Sequence, residues 1–152
     1  MAPSIGDICR QHLDYMKWAD ERLLFAAPEH PPAGFAPLRH VYLGELSWIR
    51  RLHDEPDVPA ASLVTIEDTA ALRRLWPDLH RRWLDWAASV TDWTANSRHR
   101  SNAGIDYDMP VWKIALHVAN HGSYHRGQVA AALRAAGIAP PASDLIAYYR
   151  LG

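Results

Sequence analysis

The sequence predicts an all-α chain folded as a four-helix bundle. Four long segments place apolar residues at steps of three and four, the period of a helix with one buried face. Proline and glycine clusters punctuate those segments and leave short or medium connections between them. Strict apolar/polar alternation, the mark of a half-buried strand, is weak wherever it occurs. At 152 residues the chain is long enough to bury a core without staples, and no shift of composition divides it, so residues 1–152 read as one domain.

The first helix runs from Ser4, its N-cap, to about Ala27, with Ile5, Ile8, Tyr15, Met16, Ala19, Leu23 and Ala26 on the inner side. Pro28, Pro31, Pro32 and Gly34 end it. His12 falls into this stripe and reads as a packed histidine with a backbone or carboxylate partner. The second helix spans about Pro37 to Leu52 and buries Leu38, Val41, Tyr42, Trp48, Ile49 and Leu52. His40 and Glu45 flank that face. Gly44, one turn after His40, leaves room for a ligand or for close approach of another helix. Glu45 is costly to bury unpaired, which makes it a salt-bridge partner or a candidate carboxylate for general acid–base work, with the structural role preferred.

Asp54 to Ser62 reads as a connecting loop that leaves His53 exposed. Thr65-Ile66-Glu67-Asp68 has the form of a capping box and opens the third helix. Leu72, Leu75, Trp76, Leu79, Trp83, Trp86 and Val90 then follow with the cleanest periodicity in the chain, while His80 and the arginines read as solvent side chains. Pro77 predicts a kink. Residues 98–108 could close a short hairpin around Asn102-Ala103-Gly104. The fourth helix occupies about 110–136, opened by Asp108 before Pro110 and stopped by Gly137 and Pro140-Pro141. The tail, Ser143 to Leu151, docks back on the bundle as a short helix.

Composition excludes several function classes. A formal net charge of −1 with scattered arginines, among them Arg73-Arg74, Arg81-Arg82 and Arg98/Arg100, argues against an electrostatically driven nucleic-acid binder. Cys9 is the sole cysteine, so no intrachain disulfide forms, and thiolate catalysis by the chain itself has no support. Met1 to Leu24 mixes charged with apolar residues and carries no signal-peptide pattern; no apolar run is long enough to span a membrane, and a cytoplasmic location is the default expectation. Seven tryptophans imply broad helix contacts, a pocket or a subunit interface, and a homodimer is expected through a hydrophobic face.

The fourth helix carries the chemistry. His117, His121 and His125 stand one above the other on one side, each about 5.4 Å from the next, beside the buried row of Val111, Ile114, Val118, Val129 and Leu133. Imidazoles that close to an apolar seam need partners for their ring nitrogens, and a divalent metal supplies one per ring. His121 and His125, spaced i and i+4, form the half-site of a helical zinc centre, and a third ligand must come from another helix, for which His40 is the choice. Hydrogen-bonded histidines with no metal give the same spacing, so the residues alone leave both readings open.

A wider pattern then appears. His117-Val118-Ala119-Asn120-His121, His125-Arg126-Gly127-Gln128, Leu133-Arg134 and Gly137 resemble the signature of the DinB family, the DinB/YfiT-like metalloenzymes. Tyr15-Met16-Lys17-Trp18-Ala19-Asp20 with Arg22-Leu23-Leu24, Leu38-Arg39-His40-Val41 with Trp48, and Asp144-Leu145-Ile146-Ala147-Tyr148-Tyr149 agree with it over nearly the whole chain. The resemblance implies a four-helix bundle, often dimeric, whose histidine triad binds zinc, nickel or a similar divalent ion; iron, manganese and copper also accept such ligands. Carried over residue by residue, the ligands are His40, His121 and His125, with His117 outside the set. The family's name refers to DNA-damage induction of one member and implies neither polymerase activity nor DNA binding.

Three neutral imidazoles leave a coordination position for water or substrate. The resemblance thus implies a metal-dependent thiol S-transferase or hydrolase acting on a small molecule, with a low-molecular-weight thiol as partner and Glu45 as acid–base candidate. The alternative is a stress-response or metal-binding protein whose ion is structural and does no chemistry. Neither a nucleic-acid nor a membrane partner is expected.

Overall fold

The computed structural model describes residues 1–57, 66–101 and 103–151. Its elements are α1 (Ile5–Ala26), α2 (Phe35–Leu52), α3 (Thr69–Ser89), β1 (Asn96–Arg100), β2 (Asp106–Pro110), α4 (Val111–Ala135) and α5 (Leu145–Tyr149). The four long helices form a closed ring in which α1 packs on α4 and α3, and α2 packs on the same two. The all-α bundle is therefore the fold, with the antiparallel β1–β2 hairpin as a small addition in register Asn96↔Pro110 to Arg100↔Asp106.

Local chemistry sets the helix ends. Ser4 closes a capping box on α1: its Oγ accepts from Asp7 N at 3.1 Å, and Asp7 Oδ2 accepts from Ser4 N at 2.9 Å. α4 stops where Gly137 enters the left-handed region at φ 76°, and Ile138 N donates back to Leu133 O at 2.9 Å. The tail docks as expected. Arg22 Nε donates to Ala142 O at 2.8 Å, Tyr15 Oη donates to Ser143 O at 3.0 Å, and the Tyr148 ring packs at a tilt against Tyr15 and Trp18.

The core is built from Leu13, Met16, Leu23, Leu38, Ile49, Leu72, Ile114 and Leu133, with Trp76 and Trp83 fully enclosed. Trp86 and Trp93 are also buried, and Trp83, Trp86 and Trp93 meet edge to face in sequence. Four of the seven tryptophans thus serve the core, while Trp18, Trp48 and Trp112 are partly exposed.

Besides Ile5, placed on the inner side but 36% exposed because it stands in the open first turn of α1, four expectations need correction. The N-cap of α3 is Asp68, whose Oδ1 accepts from Ala71 N at 2.7 Å, so the helix opens later than a capping box at Thr65 would place it; Thr65 itself lies outside the described residues. Leu75 is exposed, because the buried face of α3 is set by Leu72, Trp76, Leu79 and Trp83 and an adjacent residue diverges by about 100°. Asp108 does not cap α4. It belongs to β2 and accepts from Arg98 Nε at 3.0 Å across the hairpin, while Pro110 occupies the N-cap position with no side-chain cap. The fourth correction, His80, concerns the interior of the bundle and is described with it below. α3 runs through Pro77 as one element.

Candidate metal centre

The antiparallel contact of α2 and α4 brings His40 to His121 and His125. One nitrogen from each ring lies within 4.8 Å of the others. His40 Nε2 and His121 Nε2 are 3.2 Å apart, and the ring of His40 meets that of His125 at a centroid distance of 4.3 Å. Two nitrogens bound tetrahedrally to one zinc at about 2.0–2.1 Å would be separated by about 3.3 Å. The observed spacing fits an ion between them.

Each ring is held for a reason that can be named. A Cβ added at Gly44 would lie 2.9 Å from His121 Cε1, so the missing side chain on α2 makes room for the imidazole of α4. His125 Nδ1 donates to Gln128 Oε1 at 2.8 Å, one turn on, which leaves its Nε2 lone pair for a metal. Burial, reinforced by the neighbouring His125 and His40, pushes the His121 pKa down to about 4. Burial followed by His125 lowers that of His40 as well. At neutral pH these two rings therefore offer lone pairs. His40 is on the exposed side of the group, so the cluster opens to solvent.

Gln128 is a residue whose role the sequence reading left unassigned, although its i+3 spacing from His125 was the available signal. Replacing Gln128 by alanine is expected to weaken zinc affinity about 10-fold or more, measured by chelator competition, because a ligand histidine without its second hydrogen bond loses orientation and tautomer.

His117 stands outside the triad. Its ring is 6.0 Å from that of His121 and packs against Trp48 at 5.4 Å. Trp48 also meets His99 and Tyr107 of the hairpin, which sets the β-strands beside this end of the α2–α4 seam. His12 is a packed histidine, its Nδ1 donating to Ile8 O at 2.8 Å.

Glu45 belongs to a different cluster. It is fully buried with Asp20 and His80, and the three offer ligand-type atoms within 4.8 Å of one another. His80, expected in solvent, is 1% exposed: its Nε2 donates to Asp20 Oδ2 at 3.3 Å and lies 3.8 Å from Glu45 Oε2. Its position one turn after Trp76 places it on the inner face of α3. Trp76 Nε1 donates to Glu45 Oε2 at 2.7 Å, and Arg126 Nη1 donates to Asp20 Oδ1 at 2.6 Å. Burial works against ionisation of Asp20, but Arg126 and then His80 outweigh it and hold Asp20 below the usual carboxylate range. Burial and then the Asp20 charge push Glu45 well above that range. The guanidinium thus balances one carboxylate, and burial beside that charge favours the protonated form of Glu45.

A folded-state pKa raised above the ordinary 4.5 contributes stability that is complete below that pH and is lost as pH rises through the folded value. Glu45→Gln cannot ionise and keeps the acceptor for Trp76. The variant is expected to match the unsubstituted chain near pH 4 and to exceed it in stability at pH 8, in urea unfolding at both pH values. A constant difference across pH would contradict the protonated Glu45.

Comparison with known proteins adds a second line of support. A family model described as DinB family matches residues 36–151. Protein DinB of Bacillus subtilis (strain 168) is 25% identical over 159 residues, covering 92% of this chain and 92% of that protein.

Proposed function

The chain belongs to the DinB family, and from that premise we propose that it is a divalent-metal enzyme whose ion is held by His40, His121 and His125 and whose reaction is a thiol S-transfer or a hydrolysis. The observation that supports this most is the convergence of three imidazoles from two helices, with 3.2 Å between two ring nitrogens and an exposed side toward solvent. Zinc and nickel suit the donor set best. When bound, such an ion supplies a Lewis acid with a vacant position for water or a thiolate.

The chain's own residues divide the remaining work. His121 and His125 present neighbouring lone pairs from one face of α4, and His40 closes the group from α2. Tyr124, exposed and edge-on to His125, stands at the open side where a small substrate would rest. Cys9 is not a nucleophile: it is buried, and desolvation pushes its thiol up to about 11. With no other cysteine in the chain, thiol chemistry here needs a low-molecular-weight thiol as co-substrate. Glu45 is sealed in the core with Asp20 and His80, in a cluster separate from the three imidazoles, and takes no part at the metal. Among the described residues no helix is long and apolar enough to cross a membrane.

The test loads tag-free protein with zinc or nickel and follows turnover of low-molecular-weight thiols with electrophiles, and of ester substrates, beside a thermal melt with and without chelator. Turnover that chelator abolishes and re-addition restores is the expected result. A large loss of melting temperature on chelation with no turnover of any substrate class would favour an ion that only ties α2 to α4.

A further inference from the structure

The ligands of α4 alternate with the parts of a buried anchor. His121 precedes Gly122, and His125 precedes Arg126; adjacent helical residues diverge by about 100°, so the imidazoles turn toward α2 while Gly122 and Arg126 turn inward toward α1. Arg126 is 2% exposed and Asp20 0%, and the 2.6 Å bond between them links α4 to α1. The second nitrogen of the guanidinium, Nη2, donates to Ser123 Oγ at 3.0 Å and to Ala119 O at 3.4 Å, so the group is fixed at both ends. Its carbon lies 5.2 Å from the centre of the Tyr15 ring. A Cβ at Gly122 would stand 2.5 Å from Nη1, so the guanidinium occupies the space that the glycine vacates.

On the far side of Asp20 the chain of contacts continues. His80 of α3 donates to Asp20 Oδ2 and stands 3.8 Å from Glu45 Oε2 on α2, the helix that also carries His40. Both ligand-bearing helices are therefore tied through one buried polar cluster to the two that bear none.

Geometry gives that arrangement a consequence. With a helix radius of about 5–6 Å at the side-chain tips, a rotation of α4 by about 10° moves an imidazole by about 1 Å. Metal–ligand distances hold within about 0.2 Å. The apolar contacts of Val118, Val129 and Leu133 are non-directional and tolerate such a rotation, whereas a buried charge-assisted hydrogen bond from Arg126 Nη1 to Asp20 does not.

We propose that Arg126 is a positioning residue for the metal centre, its guanidinium and the Asp20–His80–Glu45 cluster setting the rotation of α4 so that His121 and His125 meet His40 on one point. This rests on the metal reading above and extends it to residues that touch no ligand atom.

The test measures zinc affinity by chelator competition, with helicity followed by circular dichroism, in four variants. Arg126→Lys keeps the charge and loses the fork; Asp20→Asn removes the carboxylate that anchors it. Both are expected to remain helical and to bind zinc about 10-fold or more weakly, the effect typical of outer residues that orient ligands. Leu13→Ala lowers the melting temperature by opening the core on α1, and is expected to keep zinc affinity within about 2-fold. Ser123→Ala, which takes one acceptor from the guanidinium and leaves the ion pair, is expected to weaken zinc about 3-fold. Wild-type affinity in helical Arg126→Lys overturns the proposal, as does an equal loss in Leu13→Ala. If Arg126→Lys does not fold, wild-type affinity in Ser123→Ala overturns it. An unsubstituted chain that binds no zinc would instead defeat the metal reading, and this inference with it.

Discussion

Replacing Arg126 by methionine is expected to destabilise the fold by about 3–5 kcal/mol, the range for removing one partner of a fully buried ion pair. The cost does not come from the lost attraction alone. Asp20 would remain at 0% exposure without its counter-charge, beside the Glu45 carboxyl group and with His80 Nε2 at 3.3 Å. Desolvation of an unpaired carboxylate then dominates, and the group must take up a proton or drag the core apart. Urea unfolding of Arg126→Met, Asp20→Asn and the double variant measures the coupling. The double variant should cost much less than the sum of the two single ones. Additive costs would show that Arg126 stabilises by packing on Tyr15 and Gly122 and not by pairing.

His121→Ala is expected to abolish the stabilisation that zinc confers on the chain. An ion that binds only the folded state adds about 4 kcal/mol when its free concentration is about 1,000 times its dissociation constant. For a domain of this size that corresponds to roughly 8–16 °C in melting temperature. Without metal, His121→Ala should melt within a few degrees of the unsubstituted chain, because the ring is only half-buried and stands at the solvent-open three-imidazole contact. A zinc-induced rise of the same size in both proteins would mean that the ion binds elsewhere, and the Asp20–Glu45–His80 cluster would be the place to look.

Helical period and caps made the four long helices legible, since the apolar rows of α1 to α4 are long and their ends carry Ser4, Gly137 and paired prolines. The histidine triad was legible for a related reason. His121 and His125 sit one turn apart on a helix that needs no tertiary information to predict, and only the choice of His40 required knowing which helices face each other. The buried polar cluster was not legible. Asp20 and His80 each occupy a position one turn from a core residue, Met16 and Trp76, but a charged or polar residue there is ordinarily read as solvated. Periodicity fixes the direction of a face to within tens of degrees, and Asp20, His80 and Leu75 all fall within that margin. Asp20 turns inward to meet Arg126, which comes from a helix 106 residues further along the chain, and no local pattern announces it.

The most direct test of the metal centre is elemental analysis of tag-free protein compared with single alanine variants of His40, His121, His125 and His117. One divalent ion per chain is expected in the unsubstituted protein and in His117→Ala, with little or none in the other three. Equal metal content in all five proteins would contradict the assignment of these ligands.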